Sequence, residues 1–206
     1  MNDERAGLRE RKKQETRIAL SWAAIRLAAE RGLDNVRVED IAAEAGVSPR
    51  TFNNYFSSKG AAIAARHLER IRQIADELRA RPASEPLWDA ITNAVLARFG
   101  LSQEGHMDGL DVQQWVSALR LMLTEPSVQG EIHRANAAGV AELAVVIAER
   151  TGTDVTRDLY PRLVAGCVGA ALGVVTDQWL HAEASVSIPT LLRDALGQVA
   201  AGLPVP

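Results

Sequence analysis

Residues 36 to 59 read Val-Arg-Val-Glu-Asp-Ile-Ala-Ala-Glu-Ala-Gly-Val-Ser-Pro-Arg-Thr-Phe-Asn-Asn-Tyr-Phe-Ser-Ser-Lys, and no other stretch limits the fold as sharply. Val38, Ile41, Ala42 and Ala45 recur at i, i+3, i+4 and i+7, which gives a short helix one apolar face. Gly46 suits the left-handed residue that ends such a helix, because glycine has no Cβ to clash. Ser48 is then a good N-cap and Pro49 a good first helical residue. From that start Arg50, Thr51, Asn53 and Asn54 face outward, while Val47, Phe52 and Phe56 anchor the helix inward. Two short helices around a tight turn, the second with a polar outer face, form the shape that lays a helix in the DNA major groove. The alternative is an ordinary helical hairpin inside a core. It leaves the coincidence of turn, cap and polar face without a reason.

At these residues the chain resembles the N-terminal domain of the TetR family of bacterial one-component regulators. The resemblance runs from about Thr16 to about Ile63. It includes Ala28-Ala29-Glu30-Arg31-Gly32-Leu33, Ile41-Ala42 with Ala45-Gly46-Val47-Ser48, then Thr51-Phe52, Tyr55-Phe56 and Lys59. Where the family usually caps the second helix with threonine, this chain has Arg37. Where the family usually has an aromatic residue in the recognition helix, it has Asn53. The resemblance implies a nine-helix, all-α fold, a ligand-binding C-terminal body, and a homodimer closed by the last two helices. It also implies that Tyr55 and Lys59 clamp the phosphate backbone.

The remaining DNA contacts follow from side-chain geometry. Arg50 suits guanine O6/N7, and Asn53 or Asn54 suits adenine N6/N7. Arg37, at the start of the first short helix, suits a phosphate better than a base. Thr51 stands among the outward-facing candidates. A net charge of −3 argues against nucleic acid until its distribution is considered. Through residue 60 there are 11 Lys+Arg against 9 Asp+Glu; the remainder has 12 against 17. A basic end near phosphates and an acidic body away from them suits a DNA reader, though an asymmetry of this size is weak evidence.

With 206 residues, 47% of them hydrophobic, the chain buries a core without disulfides or metal staples. Cys167 is its only cysteine, so no intramolecular disulfide or cysteine-cluster metal site forms. No apolar run follows the charged start as a secretory signal requires, and the longest apolar stretch, 163–175, is shorter than the roughly 20 residues that span a bilayer. The expected setting is the cytoplasm, with no membrane partner.

Three segments are expected: an arm and helix-turn-helix domain over 1–57, a connecting helix over 58–81, and a ligand-binding and dimerisation domain over 82–206. The charged arm through residue 13 is open to two readings, a solvated tail or a contact to the DNA backbone. A first helix over 13–31 carries Ile18, Trp22, Ile25 and Ala29 on its inner face, with Trp22 in the core. Arg81-Pro82-Ala83-Ser84-Glu85-Pro86 is the clearest break and a candidate joint for transmitting movement. Helical periodicity then covers 86–99, 111–124, 127–150, 157–182 and 188–201.

The body offers two sets of residues. Gly166, Gly169 and Gly173 lie in one helical segment, where each mid-helix glycine costs on the order of 1 kcal/mol against alanine and so needs a packing reason. A dimer contact, with Leu180 and Leu192 beside it, is the first reading; tight packing within the chain is the second. Trp88, Phe99, Trp115, Leu119 and Met122, with Thr92, His133 and Asn136 nearby, are candidates for an apolar effector pocket. Core filling is the competing reading for each aromatic residue, and a partly buried structural role is the competing reading for His133. An acyl-thioester or aromatic effector suits this composition. An enzyme or a helical protein-binding adaptor are the alternatives to a regulator. Against catalysis, His67, His106, His133 and His181 show no metal-ligand pairing, and no nucleophile or phosphate-cradling motif is present. No cofactor is expected.

Overall fold

The computed structural model describes residues 2–100, 116, 120, 124–181 and 186–205. Among them every regular element is helical: α1 Asn2–Arg31, a single 3-10 turn Leu33–Asn35, α2 Val38–Glu44, α3 Pro49–Tyr55, α4 Lys59–Ala80, α5 Leu87–Gly100, α6 Pro126–Thr151, α7 Leu159–His181 and α8 Ile188–Ala200. The all-α expectation holds. The helix expected over 111–124 lies outside the described residues apart from 116, 120 and 124. The charged arm is part of α1, which begins at Asn2.

The chain divides into two compact units. One joins the described residues of Met1–His67 and Gln113–His133, and the other joins those of Leu68–Val112 and Arg134–Pro206. Both α4 and α6 therefore contribute residues to both units.

In the first unit Leu20, Ala23, Ala24, Ile25, Leu27 and Ala28 of α1 are buried, as are Leu33, Val36, Ile41, Ala42, Phe52, Phe56, Ile63 and Val128. The buried stripe of α1 thus runs through Leu20, Ala24 and Leu27. Ile18, Trp22 and Ala29 are only half-buried. Trp22 is not core: the Arg66 guanidinium lies 4.6 Å from its ring centroid, an arrangement in which the ring face attracts the cation. Gly60 meets the start of α6 so closely that a Cβ there would come 3.0 Å from the Ser127 carbonyl oxygen.

In the second unit one core collects Ile74 and Leu78 of α4, Ile91 and Val95 of α5, Leu143 and Ile147 of α6, Val164, Val168 and Leu172 of α7, and Leu192 and Leu196 of α8. Ion pairs border it, including a forked Arg72–Glu142 contact at 2.7 Å and Arg98–Glu77 at 2.8 Å. The proline-bearing segment before α5 is fastened. The Arg150 guanidinium donates to the carbonyls of Arg81, Pro82 and Glu85, and the Arg81–Glu85 pair holds the Glu85 carboxyl below its usual pKa. The joint expected at 81–86 is thus tied to α6 through Arg150.

α7 is longer than the apolar run that announced it. By length and composition it would cross a bilayer, with a mean hydropathy of 1.5 over its most apolar window. Nine of its residues, from Pro161 to Leu180, are nevertheless buried within the protein, as the core helix of a globular domain requires.

Candidate nucleic-acid interface

The helix-turn-helix forms as its local chemistry dictates. Gly46 takes φ 68°, the left-handed conformation that lets the chain leave α2. Ser48 caps α3: its hydroxyl accepts from the Thr51 N–H at 3.1 Å and also lies 2.9 Å from the Thr51 hydroxyl. Ser48 and Thr51 are thus engaged with each other, and Pro49 occupies the first turn. Phe52 is fully buried and Phe56 is 4% exposed, their rings 5.7 Å apart. The Arg17 guanidinium covers the Phe56 ring at 5.0 Å. Two aromatic anchors therefore fix the roll of α3 about its axis.

That roll decides what α3 presents. Arg50, Asn53 and Asn54 are exposed, and their side chains have no hydrogen-bond or ionic partner among the described residues. Tyr55 is half-buried at the last turn, its ring 6.5 Å from that of Phe56. Arg37 is exposed at the N-cap of α2, where its backbone N–H donates to the Asp40 carboxylate at 2.9 Å. The Arg-x-x-Asp spacing was the available signal for this cap, since an acidic residue at the third helical position reaches back to the N-cap amide. An open groove of about 460 Å³ lies beside these residues, lined by Asp34, Val36, Arg37, Val38, Glu39, Pro49, Asn53 and Lys59.

Lys59, expected at the phosphate backbone, has partners within the chain. Its ammonium does not stand free at the start of α4. It donates to the carbonyl oxygens of Leu33 at 2.7 Å and Val36 at 2.8 Å.

The described members of the expected effector set have the following surroundings. Trp88 and Thr92 line an open cleft of about 470 Å³ whose other wall is Arg193, Leu196, Gly197 and Ala200 of α8. Phe99 is half-buried with the Arg70 guanidinium 5.1 Å from its ring. His133 is exposed in the first unit. The Asn136 side chain lies against α7 at Gly169. Trp115, Leu119 and Met122 lie outside the described residues.

The expected dimer residues divide in two. Gly169 faces inward: a Cβ there would come 2.9 Å from a Val140 methyl. Leu192 is fully buried and Leu180 is 8% exposed. These three serve packing within the chain. Gly166 and Gly173 are exposed, with nothing within 4 Å of an added Cβ. They belong to an uncovered stripe of α7 with Leu159, Leu163, Ala170 and Val174, of which Leu159, Leu163 and Val174 are 54–62% exposed.

Comparison with known proteins places this geometry. Residues 22–65 match the tetR family of bacterial regulatory proteins, and residues 85–204 match the MftR C-terminal domain. The chain is 32% identical over 174 residues to the HTH-type transcriptional regulator TcmR of Streptomyces glaucescens, covering 84% of this chain and 76% of TcmR. It is 32% identical over 197 residues to MftR of Mycobacterium tuberculosis, named for regulation of mycofactocin biosynthesis, covering 94% and 93% of the two chains. Its fold is similar to that of the regulator FadR from Bacillus subtilis, solved in complex with stearoyl-CoA, with a TM-score of 0.59 and 17% identity over 90% of this chain and 98% of FadR.

Proposed function

The chain belongs to the TetR family of bacterial regulatory proteins and is a DNA-binding transcriptional regulator. From that premise we propose that it is a repressor, binding a palindromic operator as a homodimer and leaving it when a small apolar effector binds. The observation that carries the DNA-reading role is the outer face of α3, where three polar side chains stand exposed and, among the described residues, without partners on a helix locked by Phe52 and Phe56. Arg50, Asn53 and Asn54 read base edges, with donors matched to guanine and adenine in the major groove. Arg37 and Tyr55 contact phosphates, which position the protein and supply most of the affinity.

The uncovered stripe of α7 supports the homodimer. Exposed apolar side chains interleaved with glycine and alanine suit close approach of a second helix of the same kind, and a two-fold pair carries two copies of α3 to two half-sites. The uncovered face of α8, with Arg193, Asp194 and Gln198, is polar, so α7 supplies most of the apolar contact. The stearoyl-CoA held by FadR supports an acyl thioester as the class of effector. A tenfold loss of operator affinity then requires the effector to favour the non-binding conformation by about 1.4 kcal/mol.

A gel-shift titration on duplex from the chain's own upstream region, repeated at rising salt and with long-chain acyl-CoA, tests this function. Salt-sensitive binding that exceeds random-duplex binding, and that acyl-CoA relieves, is expected. Equal affinity for both duplexes at low salt would contradict the DNA-reading role, and retention of the operator under every acyl-CoA would contradict the effector class.

A further inference from the structure

Helix α1 is far longer than the core it serves. Among the described residues no side chain ahead of Leu20 is buried, and Arg9, Arg11 and Lys12 are exposed. The helix persists there because its packed end has already met the cost of nucleation, and because residues 9–15 are all Arg, Lys, Glu or Gln, strong helix formers. Three contacts set its direction. The Arg17 guanidinium lies over Phe56, the C-cap of α3; the Ser21 hydroxyl donates to the Ala62 carbonyl; and the Arg66 guanidinium lies over Trp22. α1 and α4 therefore run the same way, and the residues before Arg17 pass beyond the α3–α4 junction. At roughly 1.5 Å per residue, Arg9 lies about 12 Å beyond Arg17. The roll is set as well. Leu20, Ala24 and Leu27 are buried in the head, and Thr16, Lys12 and Arg9 continue their spacing on the same side of the helix. Lys13 shares that side and is engaged within the chain. Arg11 lies on the opposite side.

We propose that this spur of α1 is a second DNA contact, in which Arg9 and Lys12 lie along the phosphates just outside the half-site that α3 reads. The proposal rests on the DNA-reading role of α3 given above. Tyr55, assigned there to a phosphate, occupies the last turn of α3, at the end where Arg17 covers Phe56. A helix that continues past this end reaches the next phosphates, over the axial rise of about three to four base pairs. Charge selects the occupant. A chain with a net charge of −3 places four cations within the five residues 9–13, and the side chains of Arg9 and Lys12 have no partner among the described residues. The side of α1 that packs on the core over 20–27 thus becomes a cationic ridge over 9–12. Such a ridge carries affinity without base preference, because phosphate contacts position a protein and base edges in the groove specify it.

The test varies the DNA and the protein together. Wild type and the Arg9→Gln, Lys12→Gln double variant would be titrated on a palindrome that the protein selects. One duplex ends at the half-sites, and the other extends about six base pairs of arbitrary sequence beyond each, more than the spur reaches. The affinity gained from the extensions is expected to be about tenfold larger for wild type than for the variant, whatever the added sequence. On the extended duplex the variant's salt slope should be shallower by about one for each cation removed. Equal gains with equal slopes would overturn the proposal, and so would a gain that depends on the added sequence.

These side chains are exposed and glutamine is a strong helix former, so the variants keep the fold. Arg11→Gln removes a cation from the opposite side of the same helix. It should leave the gain and the slope at their wild-type values, and a loss as large as that of Lys12→Gln alone would overturn the proposal. Random duplex separates the spur from the DNA-reading role. There α3 has no sequence to read, and the slope difference between wild type and double variant should persist. That difference in a protein that prefers no palindrome would contradict the reading role and support the spur. A clear palindrome preference without the slope difference would overturn the spur.

Discussion

Helices α3 and α7 each leave one face uncovered, and the two faces are chemical opposites. The seven residues of α3 expose Arg50, Asn53 and Asn54 while Phe52 is buried. The 23 residues of α7 expose Leu159, Leu163, Gly166, Ala170, Gly173 and Val174 while nine others fill a core. An exposed polar face costs nothing in water and becomes useful when a partner offers matching donors and acceptors. An exposed apolar stripe is different, since about 25 cal/mol for each Å² favours covering it. On the proposed reading the first face makes a reversible, sequence-reading contact, and the second makes a dimer contact that forms first and is kept. Both are needed at once if two recognition helices are to reach two half-sites.

The largest effect should come from spoiling the apolar face without touching the core. Val174→Asp places a carboxylate on the exposed stripe, where the isolated subunit tolerates it. Sedimentation should report monomers, and operator affinity should drop by about 10²–10⁴-fold as the two half-sites lose their linkage. A dimeric Val174→Asp protein with intact operator binding would contradict a dimer contact on the α7 stripe. Gly169→Leu makes the contrast sharper, because that position faces Val140 inside the chain. It should lower thermal stability by about 1–3 kcal/mol or more through overpacking, with any change in association secondary.

At the polar end the effects are smaller and specific. Arg50→Ala or Asn53→Ala should cost about 1–3 kcal/mol on the operator and relax preference at particular base pairs. Thermal stability should be unchanged, because neither side chain has an internal partner among the described residues. Ser48→Ala reverses that pattern. Loss of the cap on the Thr51 N–H should cost about 1 kcal/mol of stability in a melting experiment.

The smallest effect belongs to neither face. Asp154 accepts from the Thr156 hydroxyl at 2.6 Å, the Thr156 N–H at 2.8 Å and the Arg157 guanidinium at 2.8 Å, and these bonds hold its carboxyl down at about 2. A depressed folded-state pKa stabilises above the unfolded value, about 3.9, and that contribution disappears as pH falls through about 2. The stability gap between wild type and Asp154→Asn should accordingly be present at neutral pH and close across that window.

The two faces were unequally legible in the sequence. The turn and cap around α3 could be read because Gly46, Ser48 and Pro49 act on the backbone beside them, and the structure places all three as their chemistry predicts. The stripe of α7 was legible only as a run of small residues. Whether Gly166 or Gly169 faced outward depended on Val140, a residue far away in the chain. The two internal bonds of Lys59 are illegible for the same reason, since carbonyl acceptors from residues 33 and 36 leave no mark on the residue that binds them. Trp22 was misplaced because a ring stacked under the Arg66 guanidinium falls on the same helical spacing as a core residue. The surroundings of Trp88 and Phe99 are illegible because composition gives no direction to a side chain: Trp88 lines a cleft with α8, and Phe99 meets Arg70.

Binding stoichiometry on matched duplexes tests the pairing of the two faces most directly. The protein would be titrated onto a palindrome that it selects from random duplex, and onto the same duplex with one half-site scrambled. Two chains per palindrome are predicted, with binding to the single half-site weaker by about a hundredfold or more. One chain per duplex, with equal affinity for palindrome and half-site, would contradict the dimeric reader.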